Sequence, residues 1–191
     1  MNNFIIHCKV IIVRYKVPMM IMDEARYSLA VAAKVWDLPT PTARLYMNEY
    51  LALGPHDRKA AGQGATALLT ARRVLQGAIG AELAPSFRTA ALACKAALSF
   101  TDVSSPQEAP GYNREPGGLF EGASTALIAY PDGRGVVVRV DDKTPLQQIF
   151  FPIGGAGMAL GRQPRGSFLL LDFTVKRVEQ LLMMYESGAV I

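Results

Sequence analysis

An α+β fold is what this 191-residue chain predicts, on three observations. Residues 23–99 are alanine-rich and read as helices. Residues 124–130 and 135–140 are apolar or β-branched runs around an Asp-Gly turn, and residues 174–182 return to helical spacing. Hydrophobic residues make up 50% of the chain and charged ones 19%, so a core can form and disorder is not expected. The expected order is a segment 1–22, a helical module 23–99, a linker or loop 100–118 and a small α+β module 119–191.

Residues 1–22 carry Lys9, Arg14 and Lys16 and no acid. These cations interrupt the apolar run, so neither a signal peptide nor a membrane-spanning helix of about 20 apolar residues is expected. Two readings stand: an added strand or arm, or a start placed too early, with the natural chain beginning at Met20 or Met22. The second is preferred, and neither is a mark of export.

The informative stretch is residues 27–55. Ser28 is expected to cap a helix over about 29–36, with Ala32, Ala33 and Trp36 on its buried side. A small residue at Ala33 lets a second helix cross closely. Asp37-Leu38-Pro39 should end the first helix, Asp37 being among the few non-glycine residues that tolerate a left-handed backbone. Leu38 then plugs the core beneath the turn. Thr40 and Pro41 look like an N-cap and first helical residue for a second helix, at 41–50. Ala43, Tyr46, Met47 and Tyr50 recur at helical spacing and should face inward, leaving Thr42, Arg44, Leu45 and Asn48 outward or at the margin. Such a row suits the major groove, where arginine can reach guanine or phosphate and asparagine can pair with adenine.

After residues 51–55 come His56, Asp57, Arg58 and Lys59, then a small-residue loop bearing Gly62 and Gly64. Thr70 is expected to cap a further helix that includes Leu68, Leu69, Arg72, Arg73, Val74 and Leu75. A helix-turn-helix, a basic glycine loop and another helix follow the order of a winged helix, whose wing contacts phosphates through basic side chains and backbone N–H groups. On these residues, 26–84 resembles the DNA-binding head of the mercury-resistance-regulator (MerR) family. Thr42-Ala43-Arg44-Leu45-Tyr46 stands in place of that family's T-x-R-x-Y, and 51–55 where it has G-L-x-x-P. The resemblance implies that Arg44 and Tyr46 touch phosphates or base edges and that Arg58, Lys59 and the wing backbone grip flanking phosphates. Tyr46 is thereby asked both to pack and to reach DNA, which its ring and hydroxyl would have to divide. The family's effector-binding cysteines are missing, Ala65, Thr66 and Ala67 replace its wing arginine and aromatic, and Pro85 precludes a long dimerising coiled coil.

Beyond the linker, residues 146–151 and 167–173 are further strand candidates, separated by a glycine-rich loop at 154–166. Thr174 is expected to cap the last helix, with Val175, Val178, Leu181 and Leu182 on one face and Lys176, Arg177 and Glu179 opposite. The glycine cluster at 154–161 lacks the following helix and the lysine of a phosphate loop, so a hairpin loop is expected. Asp141 and Asp142, at a strand end beside Lys143, read as solvated turn carboxylates, and no metal-binding or catalytic role is expected of them or of Asp172. Cys8 and Cys94 lack metal-site spacing, and His7 and His56 stand far apart. No catalytic residue, metal or cofactor is therefore expected.

The net charge is +4, and its excess lies in the front half: +3 over residues 1–22, eight basic against six acidic side chains over 23–90, nine against ten over 91–191. The sequence points to a cytoplasmic transcriptional regulator that binds double-stranded DNA, non-enzymatic and acting as a homodimer. Phe150, Phe151, residues 169–171 and Phe173 offer apolar material for a core or subunit contact. The alternative is a non-enzymatic protein-interaction module of phage or mobile-element type; nothing names an effector.

Overall fold

The computed structural model describes residues 23–57, 67–104, 114–142 and 166–189. It has an α+β architecture, with helices packed on two small antiparallel sheets. β1 (Ala25–Ser28) leads directly into α1 (Leu29–Val35), and α2 (Thr40–Leu45) runs on into a wider, π-helical turn, Tyr46–Tyr50. β2 (Leu68–Thr70) lies antiparallel to β1, with Tyr27 opposite Leu69 and Ser28 opposite Leu68, and leads into α3 (Ala71–Leu83). A short 3-10 turn, Ala84–Ser86, connects to α4 (Ala90–Thr101). β3 (Ser124–Ala129) is the middle strand of the second sheet, between β4 (Gly135–Val140) and β5 (Ser167–Leu170). α5 (Leu171–Glu186) follows β5 without a loop and packs on α3, α1 and β3.

The hairpin forms where expected. Tyr130 N–H donates to Arg134 O at 2.8 Å and Gly133 N–H to Tyr130 O at 2.9 Å, with Gly133 at φ 81°. Only glycine accepts that backbone without strain. The last helix also buries the predicted face, with Val175, Val178 and Leu182 in the core and Leu181 packed against it.

Four expectations are corrected. Residues 23–99 are not all helical, because β1 and β2 flank the helix pair. Leu68 and Leu69 belong to β2, not to the helix that Thr70 caps. Ser28 and Thr70 are each the last residue of a strand and the cap of a helix: ψ is 162° and 158°, and their hydroxyls accept from Val31 N at 3.4 Å and Arg73 N at 3.3 Å. An N-cap backbone is already extended, so a strand can run into a helix with no intervening loop. Thr40 is the first residue of α2 and not its cap; Pro39, at ψ 141°, takes that position, and its carbonyl accepts from Ala43 N at 2.9 Å. Finally, strand 167–173 stops at Leu170, and Thr174 lies inside α5, where its buried hydroxyl donates to Glu82 Oε2 at 2.6 Å.

The region 100–118 separates two runs of chain but not two cores. Leu127, Ala129, Leu171, Val175, Val178 and Leu182 join Val31, Val35, Trp36 and Val74 in one hydrophobic cluster. Arg114 anchors the near side of that region. Its buried guanidinium donates to Phe100 O at 2.9 Å, Glu115 O at 3.0 Å and Ser99 O at 3.3 Å, and also to Val103 O. It thereby satisfies carbonyls at the end of α4 that the helix itself leaves open. Burial pushes its pKa down to about 10, which keeps it charged at neutral pH.

α3 meets α4 closely, and a methyl group on Gly80 would come within 2.4 Å of Cys94 Sγ. Burial pushes the Cys94 thiol up to about 12, so the reactive thiolate is scarce near neutral pH. In a Cys8→Ser background, a thiol reagent at pH 8 is expected to modify no cysteine in the folded chain and one in denaturant. Fast labelling of the folded chain would show that α3 and α4 open readily. Residues 1–22, strand candidate 146–151 with Phe150 and Phe151, and glycine cluster 154–161 lie outside the described residues.

Candidate nucleic-acid interface

The helix pair is built as its residues require. Val31, Ala32, Ala33, Val35 and Trp36 bury one side of α1. Asp37 ends it at φ 54°, the one non-glycine positive φ among the described residues. Leu38 N–H donates to Ala33 O at 3.0 Å and Asp37 N–H to Lys34 O at 3.2 Å. This pair of bonds is a Schellman closure, with aspartate in the place usually taken by glycine. Leu38 packs against the core beneath it. The turn therefore fixes the angle at which α2 leaves α1.

α2 divides by face. Ala43 and Met47 point inward with Tyr50 packed beside them, while Arg44, Leu45 and Asn48 are exposed and Thr42 is half-buried. Leu45 is 46% exposed, and Pro41 and Glu49 are exposed on the same outer side. Tyr46 is the correction here. It is 4% exposed, its ring lying 6.2 Å from Trp36 and 5.3 Å from Tyr50, and burial pushes its hydroxyl pKa up. In the i→i+5 turn, with Leu51 N–H donating to Tyr46 O at 3.0 Å, the two tyrosine rings meet edge to face at an interplanar angle of 69°. Of the two roles asked of Tyr46, packing is the one that its surroundings display.

Arg58, Lys59, Gly62 and Gly64 lie outside the described residues, but the described residues on either side of 58–66 are tied together. Asp57 Oδ2 accepts from Gly54 N at 2.7 Å and Asp57 Oδ1 from Thr70 N at 2.8 Å. Its side chain is 2% exposed and forms an ion pair with Arg73 Nε at 3.4 Å. One carboxylate thus joins the end of the helix pair, the start of α3 and the strand between them. Arg73 also binds both carboxylate oxygens of Asp102 and donates to Gln76 Oε1 at 2.9 Å. Burial raises the Asp102 pKa, but hydrogen bonds from Arg73 and Thr101 outweigh it, and the net shift is downward. Arg72 grips Asp23 at 2.7 and 3.0 Å, and that hydrogen bonding holds Asp23 below its ordinary value.

This cluster was missed in the sequence because Asp57 sits in a basic run and Asp102 in a presumed linker. A signal was nevertheless available. Arg72 and Arg73 occupy the first turn of α3, where the helix dipole disfavours cations and which holds no acid. Two arginines against the dipole need carboxylates from elsewhere.

α5 braces the pair from behind. Arg177 donates to Val35 O at 3.2 Å, the open end of α1, and to Glu82 Oε1 at 2.6 Å. The Tyr27 hydroxyl donates to Glu186 Oε1 at 2.6 Å, tying β1 to the far end of α5. The outer face of α2 is therefore carried on a fixed base. No group of acids, histidines and cysteines among the described residues could hold a metal ion, and none of their helices is long and apolar enough to cross a membrane. No family model, no curated protein and no solved structure matches the chain.

Proposed function

We propose that the chain is a DNA-binding transcriptional regulator of the cytoplasm that lays α2 in the major groove of double-stranded DNA. The observation that carries this reading is the outward row Thr42, Arg44, Leu45 and Asn48 on a helix whose inner face is wholly committed to the core. Asp57 supports it, since a wing is a loop whose ends must be held together, and its carboxylate accepts from Gly54 N on one side of 58–66 and from Thr70 N on the other. The reading also draws on the MerR-type resemblance of residues 26–84, with the Tyr46 ring given to the core. Arg44 and Glu49 leave the row near neutral, so sequence reading falls to α2 and the general grip on phosphate to Arg58 and Lys59. A homodimer reads two half-sites, and Phe168, Leu170 and Phe173 expose apolar surface suited to subunit contact. A protein-interaction module is the second reading, favoured by the same exposed Leu45.

Selection of duplexes from a random pool, followed by titration at fixed salt, tests this directly. Arg44→Ala is expected to weaken binding to the selected site by about 1–3 kcal/mol. Unchanged affinity in that variant would remove α2 from the interface, and absence of any duplex affinity at low salt would favour the protein-binding module.

A further inference from the structure

Leu45 is a large apolar side chain that the core leaves outside. Its helix neighbours Ala43, Tyr46 and Met47 are all buried, yet Leu45 remains 46% exposed. A single surface leucine is ordinary on a folded protein. This one has a particular setting. Pro41, one turn earlier, is exposed, and half-buried Thr42 adds a methyl group, so the three form an apolar strip along one turn of α2. Arg44, Asn48 and Glu49, all exposed, border that strip with hydrogen-bonding groups.

We infer that Leu45, with Pro41 and Thr42 beside it, reads the C5-methyl group of thymine in the major groove. The inference rests on the DNA-binding reading above and goes beyond it by assigning a base. Thymine alone among the four bases presents an apolar group on the major-groove edge, whereas guanine, adenine and cytosine present only donors and acceptors there. An apolar strip framed by arginine and asparagine therefore selects a thymine next to the guanine or adenine that those two side chains contact. Phosphate contact would not use Leu45 at all, and burial of the methyl group removes from water a leucine surface that is otherwise wetted.

The test uses the full chain and its selected duplex, with each thymine replaced in turn by uracil, which lacks only the methyl group. Wild-type affinity should fall about fourfold at one or two positions, the worth of one buried methyl group. In Leu45→Ala the same replacements should cost distinctly less than in the wild type, and circular dichroism should be unchanged because the site is exposed. Wild-type binding that is indifferent to every uracil replacement, or a penalty undiminished in Leu45→Ala, overturns the assignment while leaving DNA binding intact. Failure to select any duplex overturns the DNA-binding reading and this inference with it.

Discussion

Trp36→Ala should cost about 3–5 kcal/mol of stability, the largest loss expected from a single truncation in the front half of the chain. The indole is 3% exposed, and its Nε1–H donates to Val74 O at 2.7 Å. It lies flat against α3 at Gly77, where an added methyl group would sit 2.3 Å from Trp36 Cε2. Helix and ring were thus matched at a position where only hydrogen fits. Removing the ring leaves a cavity bounded by α3 and Tyr46 that close-packed neighbours cannot fill without moving α1. Domain stabilities are only about 5–15 kcal/mol, so urea denaturation should show a midpoint shifted by a large fraction of its value. A loss below about 1.5 kcal/mol would mean that α1 and α3 close over the gap and that the α1–α2 angle is not fixed by this contact.

Arg73→Met should cost about 3–5 kcal/mol by a different route. Methionine can occupy much of the same volume, so the loss comes from charge and not from packing. Without the guanidinium, Asp57 keeps its two N–H donors but has no counter-ion in a place where its side chain is 2% exposed, and Asp102 loses a two-point partner. Asp57→Asn added to Arg73→Met should recover part of the loss, because a neutral amide can sit there without a cation. Denaturation of the two single variants and the double variant gives the coupling as the departure from additivity, expected to exceed about 1 kcal/mol. Additive losses would show that water, and not Arg73, balances the Asp57 charge. On the proposed function, Arg73→Met should also weaken duplex binding, because Asp57 ties together the described residues that flank 58–66.

The parts of the fold that were legible share one property: their cause is local. Ser28 as a cap, Asp37 as a left-handed stop, the inner row from Ala43 to Tyr50 and the Asp-Gly hairpin each depend on residues within a few positions of one another, so spacing alone reveals them. The exposure of Arg44, Leu45 and Asn48 follows from the same periodicity. Strands β1 and β2 were not legible, because three or four residues ending in a helix cap carry too little pattern and exist only by pairing across some forty positions. Tyr46 shows the same limit within the candidate site. Motif resemblance assigned it to DNA, but Trp36 and Tyr50, brought against it by the turn and by the π-helical geometry, decided for burial.

The sequence by itself determined an α+β chain, a helix pair with a tight turn, and which side chains of the second helix face out. Only the tertiary structure decided that both halves share one core, that α5 braces α1 through Arg177, and that Asp57, Arg73 and Asp102 converge. The physical reason is range. Periodicity and capping act within a turn or two of chain, whereas a buried charge is stable only with a partner whose position is fixed by how distant elements pack.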